Sequence, residues 1–410
     1  MRKSRIIKIS AAALAAAAVI FAGYKLLHKN DEISPDAVPV QQALDELKDY
    51  KFGDYDNLHF DCEVKMTEPD KIYESVDIIS VSENTKTNEQ LKEQGSELLN
   101  LVTGRSVLPD DLKKGDKRTY GNENGEKTYD VELIRDNELI FDYFYNNSFL
   151  LTDLSAINDV ENASGTDNTQ IIKRLRPDEI TDDIVYDLSG EKYALKDAVS
   201  FTDGVIEKLK DKYFNGSRPQ LANIAIVYFP ETNEYSYILR YYHIIDGLFF
   251  DDISIADPNY DYLYGCYLDV EIRSKDKIFN ISNYGYQQIS DKNELMEMIP
   301  LSDAEKMAAE ILTDKAEYTV TECELKYVCI TYAENTDPKY RPMWAFTLKE
   351  INSERYVYAG DNFDKIVFYI DAVTGDYYYA DDDCIYKNGD EHHALGQDRE
   401  HEVNYDDMGT

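Results

Sequence analysis

The sequence predicts an α+β protein in which tandem modules, each of one helix packed on an antiparallel sheet, follow an N-terminal transmembrane helix. Three observations predict it: an uncharged apolar run near the N-terminus, a few long segments with apolar residues at helical spacing, and many short β-branched or alternating runs. The chain has 410 residues, of which 43% are hydrophobic and 34 are Tyr. This composition allows two or three domains with real cores and argues against wholesale disorder.

Charge is distributed unevenly along the chain. The whole sequence has 43 basic and 80 acidic side chains and a net charge of −37. Residues 1–29 have six basic side chains and no acidic one, which leaves a net −43 for residues 30–410. Nucleic acid is excluded as a partner because a polyanion needs a basic face, and the acidic part offers none.

The N-terminal segment predicts a membrane anchor. Between Lys8 and Lys25 lie 16 uncharged residues, about 24 Å of helix, which two further leucines extend to about 28 Å of the roughly 30 Å hydrocarbon core. Residues 1–29 are therefore predicted to be a signal anchor, with the body outside the cytoplasm because the basic residues precede the span. Removal of the segment as a secretory signal, with cleavage after Ala22, remains the alternative.

The next segments predict a stalk and a first α+β domain. Residues 30–57 are predicted to be a juxtamembrane stalk, since a short amphipathic piece is followed by the turn-rich FGDYDN. Residues 58–178 are predicted to be the first domain, with strands at LHFDCEVKM and YESVDIISV and a helix over 88–102. The polar loop at 158–170 marks its end.

From about residue 190 an order of elements appears twice. In the second module, 179–299, a helix over 191–213 precedes strands at IAIVYF, YSYILRYYHI, LFFDDISI, LYGCYLDVEIR and IFNISNYG. In the third, 300–386, Ser302 to Glu305 has the pattern of a capping box that begins a helix, and strands follow. The repeated order predicts a divergent duplication, with two unrelated α+β domains as the alternative.

The C-terminal residues 387–410 predict an acidic disordered tail. They are strongly acidic and lack apolar periodicity.

The third module resembles a PepSY domain, an extracytoplasmic unit of one helix on an antiparallel sheet. The resemblance depends on the helix LSDAEKMAAEIL, the strand MWAFTL and the closing FYIDAVTGDYYY, in which Asp371 can cap the turn and Gly375 supplies a positive φ. An insertion, KEINSERYVYAGDNFD, departs from the pattern. The tandem arrangement over residues 190–386 is also similar to YycH/YycI-type extracytoplasmic regulators of Gram-positive bacteria. This resemblance implies a membrane-tethered modulator of another envelope protein, and no catalytic residues.

The sequence predicts no catalytic, cofactor-binding or metal-binding residues, and no enzyme. It lacks phosphate-binding, dinucleotide-binding, serine-hydrolase and zinc-protease motifs. His59 and His243 lie in strand-like runs, which favours hydrogen-bonded structural roles. The tail histidines leave a weak metal site as a lesser alternative. The acidic pair Asp251–Asp252 could serve a glycosidase, but such pairs arise by chance among 80 acids.

The five cysteines are predicted to be mainly small buried side chains. They are Cys62, Cys266, Cys323, Cys329 and Cys384, and none forms a CxxC pair. Cys323 and Cys329 lie on one strand-like run, too far apart to bond to each other. One pairing with Cys266 or Cys384 remains open.

Tyrosines recur on strands, and Trp344 is predicted to be core. The tyrosines favour half-exposed sheet surfaces, or alternatively an aromatic face for a sugar, peptide or partner strand.

The expected function is a non-enzymatic, membrane-tethered extracytoplasmic protein that binds an envelope protein as regulator or sensor accessory. The alternative is a secreted or surface glycan-binding module.

Overall fold

A computed structural model describes residues 33–65, 76–82, 87–114, 131–135, 139–143, 149–156, 169–214, 217–256, 267–284, 288–312, 317–331, 339–351, 366–380 and 385–387. Of these residues, 47% are in strands and 27% in helices. The protein is therefore mostly β, and the predicted α+β class is wrong.

Four α-helices lie within the described residues. They are α1 (Val40–Asp45), α2 (Asn88–Thr103), α3 (Leu195–Tyr213) and α4 (Leu301–Leu312). The predicted helices over 88–102 and 191–213 and the helix expected to begin near Ser302 are confirmed, with α3 beginning four residues later than expected. None of the described helices combines the length and apolar character that a bilayer span requires. The predicted anchor, residues 1–29, lies outside the described residues.

The strands are numbered in chain order. The first eight are β1 (Val38–Pro39), β2 (Leu58–Phe60), β3 (Val64–Lys65), β4 (Asp77–Ser82), β5 (Lys113–Lys114), β6 (Val131–Arg135), β7 (Leu139–Tyr143) and β8 (Phe149–Asp153). The next eight are β9 (Gln170–Leu175), β10 (Val185–Leu188), β11 (Glu191–Ala194), β12 (Gln220–Phe229), β13 (Glu234–Tyr242), β14 (Ile244–Ile245), β15 (Leu248–Ala256) and β16 (Tyr267–Ile272). The last eight are β17 (Asn280–Tyr284), β18 (Gln288–Glu294), β19 (Glu297–Met298), β20 (Tyr318–Thr331), β21 (Lys339–Glu350), β22 (Ile366–Asp371), β23 (Tyr377–Ala380) and β24 (Ile385–Lys387).

The described residues form two compact units, each assembled from segments distant in sequence. The first unit takes them from Met1–Val64, Leu295–Glu324 and Met343–Glu391, and the second from Lys65–Glu294, Leu325–Pro342 and His392–Thr410. Each of the long strands β20 and β21 contributes one part to each unit. The domain boundaries predicted from composition stay a prediction.

The second unit is built around a nine-stranded antiparallel sheet. Its strand order is β5-β6-β7-β8-β17-β16-β13-β12-β9. Helix α2 contacts β6 and β7, and α3 contacts β13. Alternate apolar residues of the strands are buried, such as Leu268, Val270 and Ile272 on β16, as a strand with one face toward a core requires.

The first unit packs α4 against β22. The buried Trp344 of β21 donates its indole N–H to the Ile299 carbonyl at 2.9 Å, so its prediction as core is confirmed. The hairpin between β22 and β23 also follows the prediction. Asp371 Oδ1 accepts hydrogen bonds from the Val373 and Thr374 amides at 2.8 and 3.3 Å, and Gly375 has φ +80°.

Three further expectations are wrong. Tandem modules are replaced by large sheets, because strands on both sides of residue 178 share the nine-stranded sheet. Strand β15 keeps only a short antiparallel pairing with β14 and otherwise pairs in parallel with β20. The predicted capping box is absent from α4: the Ser302 amide donates to Glu46, and Glu305 is buried. Periodicity indicates which residues form strands and helices, but not which distant segment each one pairs with.

Candidate functional site

A cavity of about 440 Å³ lies in the first unit, partly open to solvent. Residues of the segment 50–63 line it, a stretch that the sequence assigned to the end of the stalk and the first strand. Half-exposed aromatic rings and an apolar floor at Leu58 form much of its wall. This volume is typical of small-molecule and side-chain pockets in proteins, which span about 300–1,000 Å³.

Aromatic rings form the wall of the cavity as a connected stack. Phe52 and Phe60 lie face to face, with ring centres 4.1 Å apart and planes 5° from parallel. Tyr50 meets Phe52 edge-on at 5.3 Å, and Phe60 meets the buried Phe346 edge-on at 6.4 Å. Because Phe346 is a core residue of β21, the stack holds the cavity wall against rigid structure.

A buried carboxylate holds the loop that carries these rings. Glu305 on α4 is 2% exposed and accepts hydrogen bonds from the Tyr50 hydroxyl at 2.5 Å and the Gly53 amide at 2.6 Å. Tyr55 also donates to it, and burial together with the Glu305 charge raises the pKa of Tyr55 to about 12. Burial and the Glu305 charge also raise the pKa of Tyr50, so both tyrosines stay neutral and donate to the carboxylate.

The rim of the cavity is polar and of mixed charge. Lys51, Asp54 and Glu63 are exposed there, and His59 Nε2 lies 3.0 Å from Glu317 Oε1. Cys62 lines the cavity and is half-buried. The arrangement combines apolar ring faces with hydrogen-bonding groups at the edge, which suits binding of a side chain or small ligand.

A second polar cluster lies in the second unit and is buried. His243 Nε2 lies 2.9 Å from Asn283 Oδ1, and its Nδ1 lies 2.7 Å from the Ser217 hydroxyl. The amide oxygen can only accept, so Nε2 bears the proton and Nδ1 accepts from Ser217. Burial lowers the pKa of His243 to about 4.

These residue types are those of a hydrolase triad, but their placement is structural. Ser217, His243 and Asn283 are 2%, 0% and 1% exposed, so the serine hydroxyl is not presented to a substrate. The hydrogen-bonded structural role predicted for His243 is confirmed. His59 is half-exposed on the rim of the cavity and is also hydrogen-bonded, to Glu317. Within the described ranges, no group of three or more His, Cys, Asp or Glu side chains is placed to hold a metal ion.

The structure sorts the tyrosines between core and surface. In RYYHI, Tyr241 is buried and Tyr242 half-buried, as alternation on a strand requires. A half-exposed group of rings lies in the second unit, where Tyr235 has centroid distances of 4.8 Å to Tyr186 and 5.0 Å to Tyr228. The predicted YDYLYG stretch and the tail histidines His392, His393 and His401 lie outside the described residues.

The sequence contains a signal for the cavity that apolar periodicity does not show. Tyr50, Phe52, Tyr55 and Phe60 are four aromatic residues within eleven, around a Gly-Asp turn. Such a cluster is unusual for a solvated stalk, where large rings would gain nothing from exposure. Only the contact with Glu305, more than 240 residues away in sequence, shows that the loop has a fixed conformation.

Comparison with known proteins gives a likeness in fold. No family model matches the chain, and no curated protein matches it. An uncharacterised protein from Eubacterium rectale ATCC 33656, known from a crystal structure at 1.45 Å resolution, matches with a TM-score of 0.51 and 12% sequence identity. The match covers 82% of this chain and 98% of that one. At this identity the two chains are similar in fold, and the likeness says nothing about activity.

Proposed function

We propose that this is a non-enzymatic binding protein, tethered to the cell membrane by residues 1–29, whose body binds an envelope protein outside the cytoplasm as regulator or sensor accessory. The observation that supports binding is the cavity lined by Phe52 and Phe60. Its occupant is a side chain or short segment of the partner.

The walls of the cavity favour a protein partner. Interfaces concentrate their binding energy in aromatic or long side chains that fill pockets, surrounded by a polar rim. The cavity provides the pocket through Phe52 and Phe60, and the rim through Lys51, Asp54 and Glu63. The net charge of −37 adds a preference for partners with a basic surface and repels anionic wall polymers.

Site-specific photocrosslinking in living cells tests the proposal. A benzophenone amino acid replaces Asp54 at the rim of the full chain, and Glu191, an exposed residue of β11, serves as the control position. We expect a crosslink to one envelope protein at position 54 alone. Phe52→Ala should weaken it about tenfold, a loss of about 1.4 kcal/mol, by removing one ring of the stack.

The matched control is Phe249→Ala, which removes a half-buried ring of the second unit. It should leave the crosslink at position 54 unchanged. No crosslink at position 54, or equal yields from the two alanine variants, would show that the cavity is not the binding site. N-terminal sequencing of the membrane-bound protein tests the tether separately, since a mature chain that begins after Ala22 contradicts the anchor.

A surface or secreted glycan-binding module is the second candidate. The half-exposed rings of Tyr186, Tyr228 and Tyr235 favour it, because tyrosine presents an apolar face and a hydroxyl to a sugar. Retention of the full chain on insoluble glycan, lost in Tyr235→Ala and kept in Phe52→Ala, would favour this function. The partner-binding proposal expects no retention.

A further inference from the structure

The cavity of the first unit lies in an acidic stretch of the chain. The segment 50–63 has four acidic side chains and one basic one, Lys51. Two of the acids, Asp54 and Glu63, line the cavity and are exposed at its rim. Within the part of the chain that the structure describes, neither of these two carboxylates forms an ion pair. Both are therefore placed to pair with a cation that enters from outside.

A buried negative charge lies behind the same wall. Glu305 is 2% exposed, and its carboxylate accepts hydrogen bonds from the Tyr50 hydroxyl at 2.5 Å and the Gly53 amide at 2.6 Å. Both donors belong to residues that line the cavity. They are neutral groups, so the carboxylate keeps its charge, and a charge in a low-dielectric interior acts more strongly than one in water. This charge adds to that of the rim acids, so the cavity favours a cation.

The aromatic wall favours a flat cation. Phe52 and Phe60 both line the cavity and are half-buried, with parallel rings whose centres lie 4.1 Å apart. A guanidinium group is planar, stacks on aromatic rings and binds carboxylates through paired N–H groups. An ammonium group is a compact, strongly hydrated point charge, so it gains less from such a wall. An arginine side chain therefore matches both the rings and the acidic rim.

We propose that the cavity binds an arginine side chain of the partner protein, with the guanidinium group against the wall of Phe52 and Phe60 and its N–H groups toward Asp54 and Glu63. This inference rests on the proposed function for the source of the arginine, and it names the chemical group by which the partner is recognised. Lys51 is the like charge in the lining, and it lowers the affinity for arginine.

Binding of small probes to the purified full chain tests the assignment. The probes are N-acetyl-arginine amide, N-acetyl-lysine amide and N-acetyl-citrulline amide, in which an uncharged urea of similar shape replaces the guanidinium group. Ligand-observed NMR titrations measure each dissociation constant. We expect the arginine probe to bind about tenfold more tightly than the citrulline probe, because only the former makes charge-assisted hydrogen bonds. It should bind about threefold more tightly than the lysine probe, which stacks less well.

Two variants of the lining should act in opposite directions. Asp54→Asn removes one carboxylate at nearly constant size and should weaken binding of the arginine probe about fivefold. Lys51→Met removes the like charge and should strengthen that binding about twofold. Asp49→Asn, at an exposed acid of the same unit outside the cavity lining, is the matched control and should leave the affinity unchanged. All three positions except the cavity rim's own charge are equivalent for folding, because exposed exchanges change stability little.

Three results would overturn the proposal. Equal affinities for the arginine and citrulline probes would show that the cavity does not recognise charge. Equal affinities for the arginine and lysine probes would show that it does not recognise a guanidinium group. Binding of none of the probes, or an Asp54→Asn variant with unchanged affinity, would show that the cavity is not an arginine site.

The probe titrations and the photocrosslink at position 54 fail separately. An arginine-selective cavity without a crosslinked envelope protein would contradict the proposed function and keep the arginine site. A crosslink that depends on Phe52, in a protein without preference for the arginine probe, would keep the proposed function and contradict the arginine.

Discussion

The carboxylate of Glu46 caps helix α4 by accepting hydrogen bonds from both the amide and the hydroxyl of Ser302, at 3.0 and 3.1 Å. The first amides of a helix lack partners within the helix, and an acidic group there also interacts favourably with the helix dipole. The residue that provides this cap is 256 positions away in sequence.

Removal of the Glu46 cap should destabilise the first unit. We expect Glu46→Ala to lower the free energy of unfolding by about 1 kcal/mol, because the Ser302 amide and hydroxyl lose their acceptor. Asp49→Ala, an exposed acid of the same segment, should change it by less than about 0.5 kcal/mol. Urea unfolding compares them, and equal effects would contradict a capping role.

Glu305→Gln should destabilise more strongly. The glutamine side chain keeps one acceptor oxygen, but its NH₂ group is a hydrogen-bond donor. That NH₂ group would face another donor, such as the Gly53 N–H, and a buried polar group would lose its hydrogen-bond partner. We expect a loss of about 2 kcal/mol. Glu310→Gln, on an exposed position of the same helix, should be nearly neutral. Urea unfolding measures both, and a neutral Glu305→Gln would show that the carboxylate does not hold the loop.

His243 should make the protein less stable in acid. Burial lowers its pKa in the folded protein to about 4, below the value of about 6.5 in an unfolded chain. The contribution of neutral His243 to the free energy of unfolding is fully present above pH 6.5 and is lost as the pH falls through 4. This contribution is on the order of 3 kcal/mol. Unfolding curves between pH 4 and 8 should show this decline, and a His243→Gln variant should decline less.

Asp77 should make the protein less stable as the pH rises, which is the opposite of the effect of His243. It is buried at the start of β4, its carboxyl hydrogen-bonds with Asp246, and Lys292 Nζ lies 2.6 Å from Asp246. Burial, followed by the charge of Asp246, raises the pKa of Asp77 to about 6. The stabilisation is present below an unfolded pKa of about 3.9 and is lost as the pH rises through 6.

Asp77→Asn tests this directly. The neutral amide should stabilise the protein at pH 8 by about 1 to 2 kcal/mol, since an ionised buried carboxylate is avoided. Asp291→Asn, at an exposed neighbouring acid, is the control and should have little effect. A less stable Asp77→Asn at pH 8 would show that the ionised carboxylate stabilises the fold.

Two glycines in helices should respond oppositely to alanine. A Cβ on Gly95 of α2 would lie 2.7 Å from Phe141 Cδ1 of β7, whereas a Cβ on Gly204 of α3 meets no atom within 4 Å. Gly95→Ala should therefore cost about 1 to 3 kcal/mol, and Gly204→Ala should stabilise by up to about 1 kcal/mol. Thermal unfolding of both variants checks this, and a stabilising Gly95→Ala would contradict the close packing.

Local features of this protein followed from local sequence. Helix α2 begins after a Thr87 cap with Gln90 in reciprocal position, and it ends at Gly104 in the left-handed conformation. The turn from Asp371 to Gly375 has the predicted hydrogen bonds and positive φ. These features depend on residues within a few positions of each other, so the sequence alone predicts them.

The cavity and the sheets were decided by tertiary structure. Tyr50, Phe52 and Phe60 became a cavity wall because Glu305 and Phe346, far away in sequence, hold them, and β15 left its expected neighbours to pair with β20. The predicted capping box at Ser302 does not form for the same reason. The Ser302 amide donates to Glu46 instead, and the Glu305 carboxylate accepts from Gly53 in the loop. Sequence by itself determined the acidic composition, the buried faces and the local turns of this protein. The tertiary structure alone decided which segments pair. The reason is that pairing depends on which distant segments bury a given apolar surface and satisfy a given polar group.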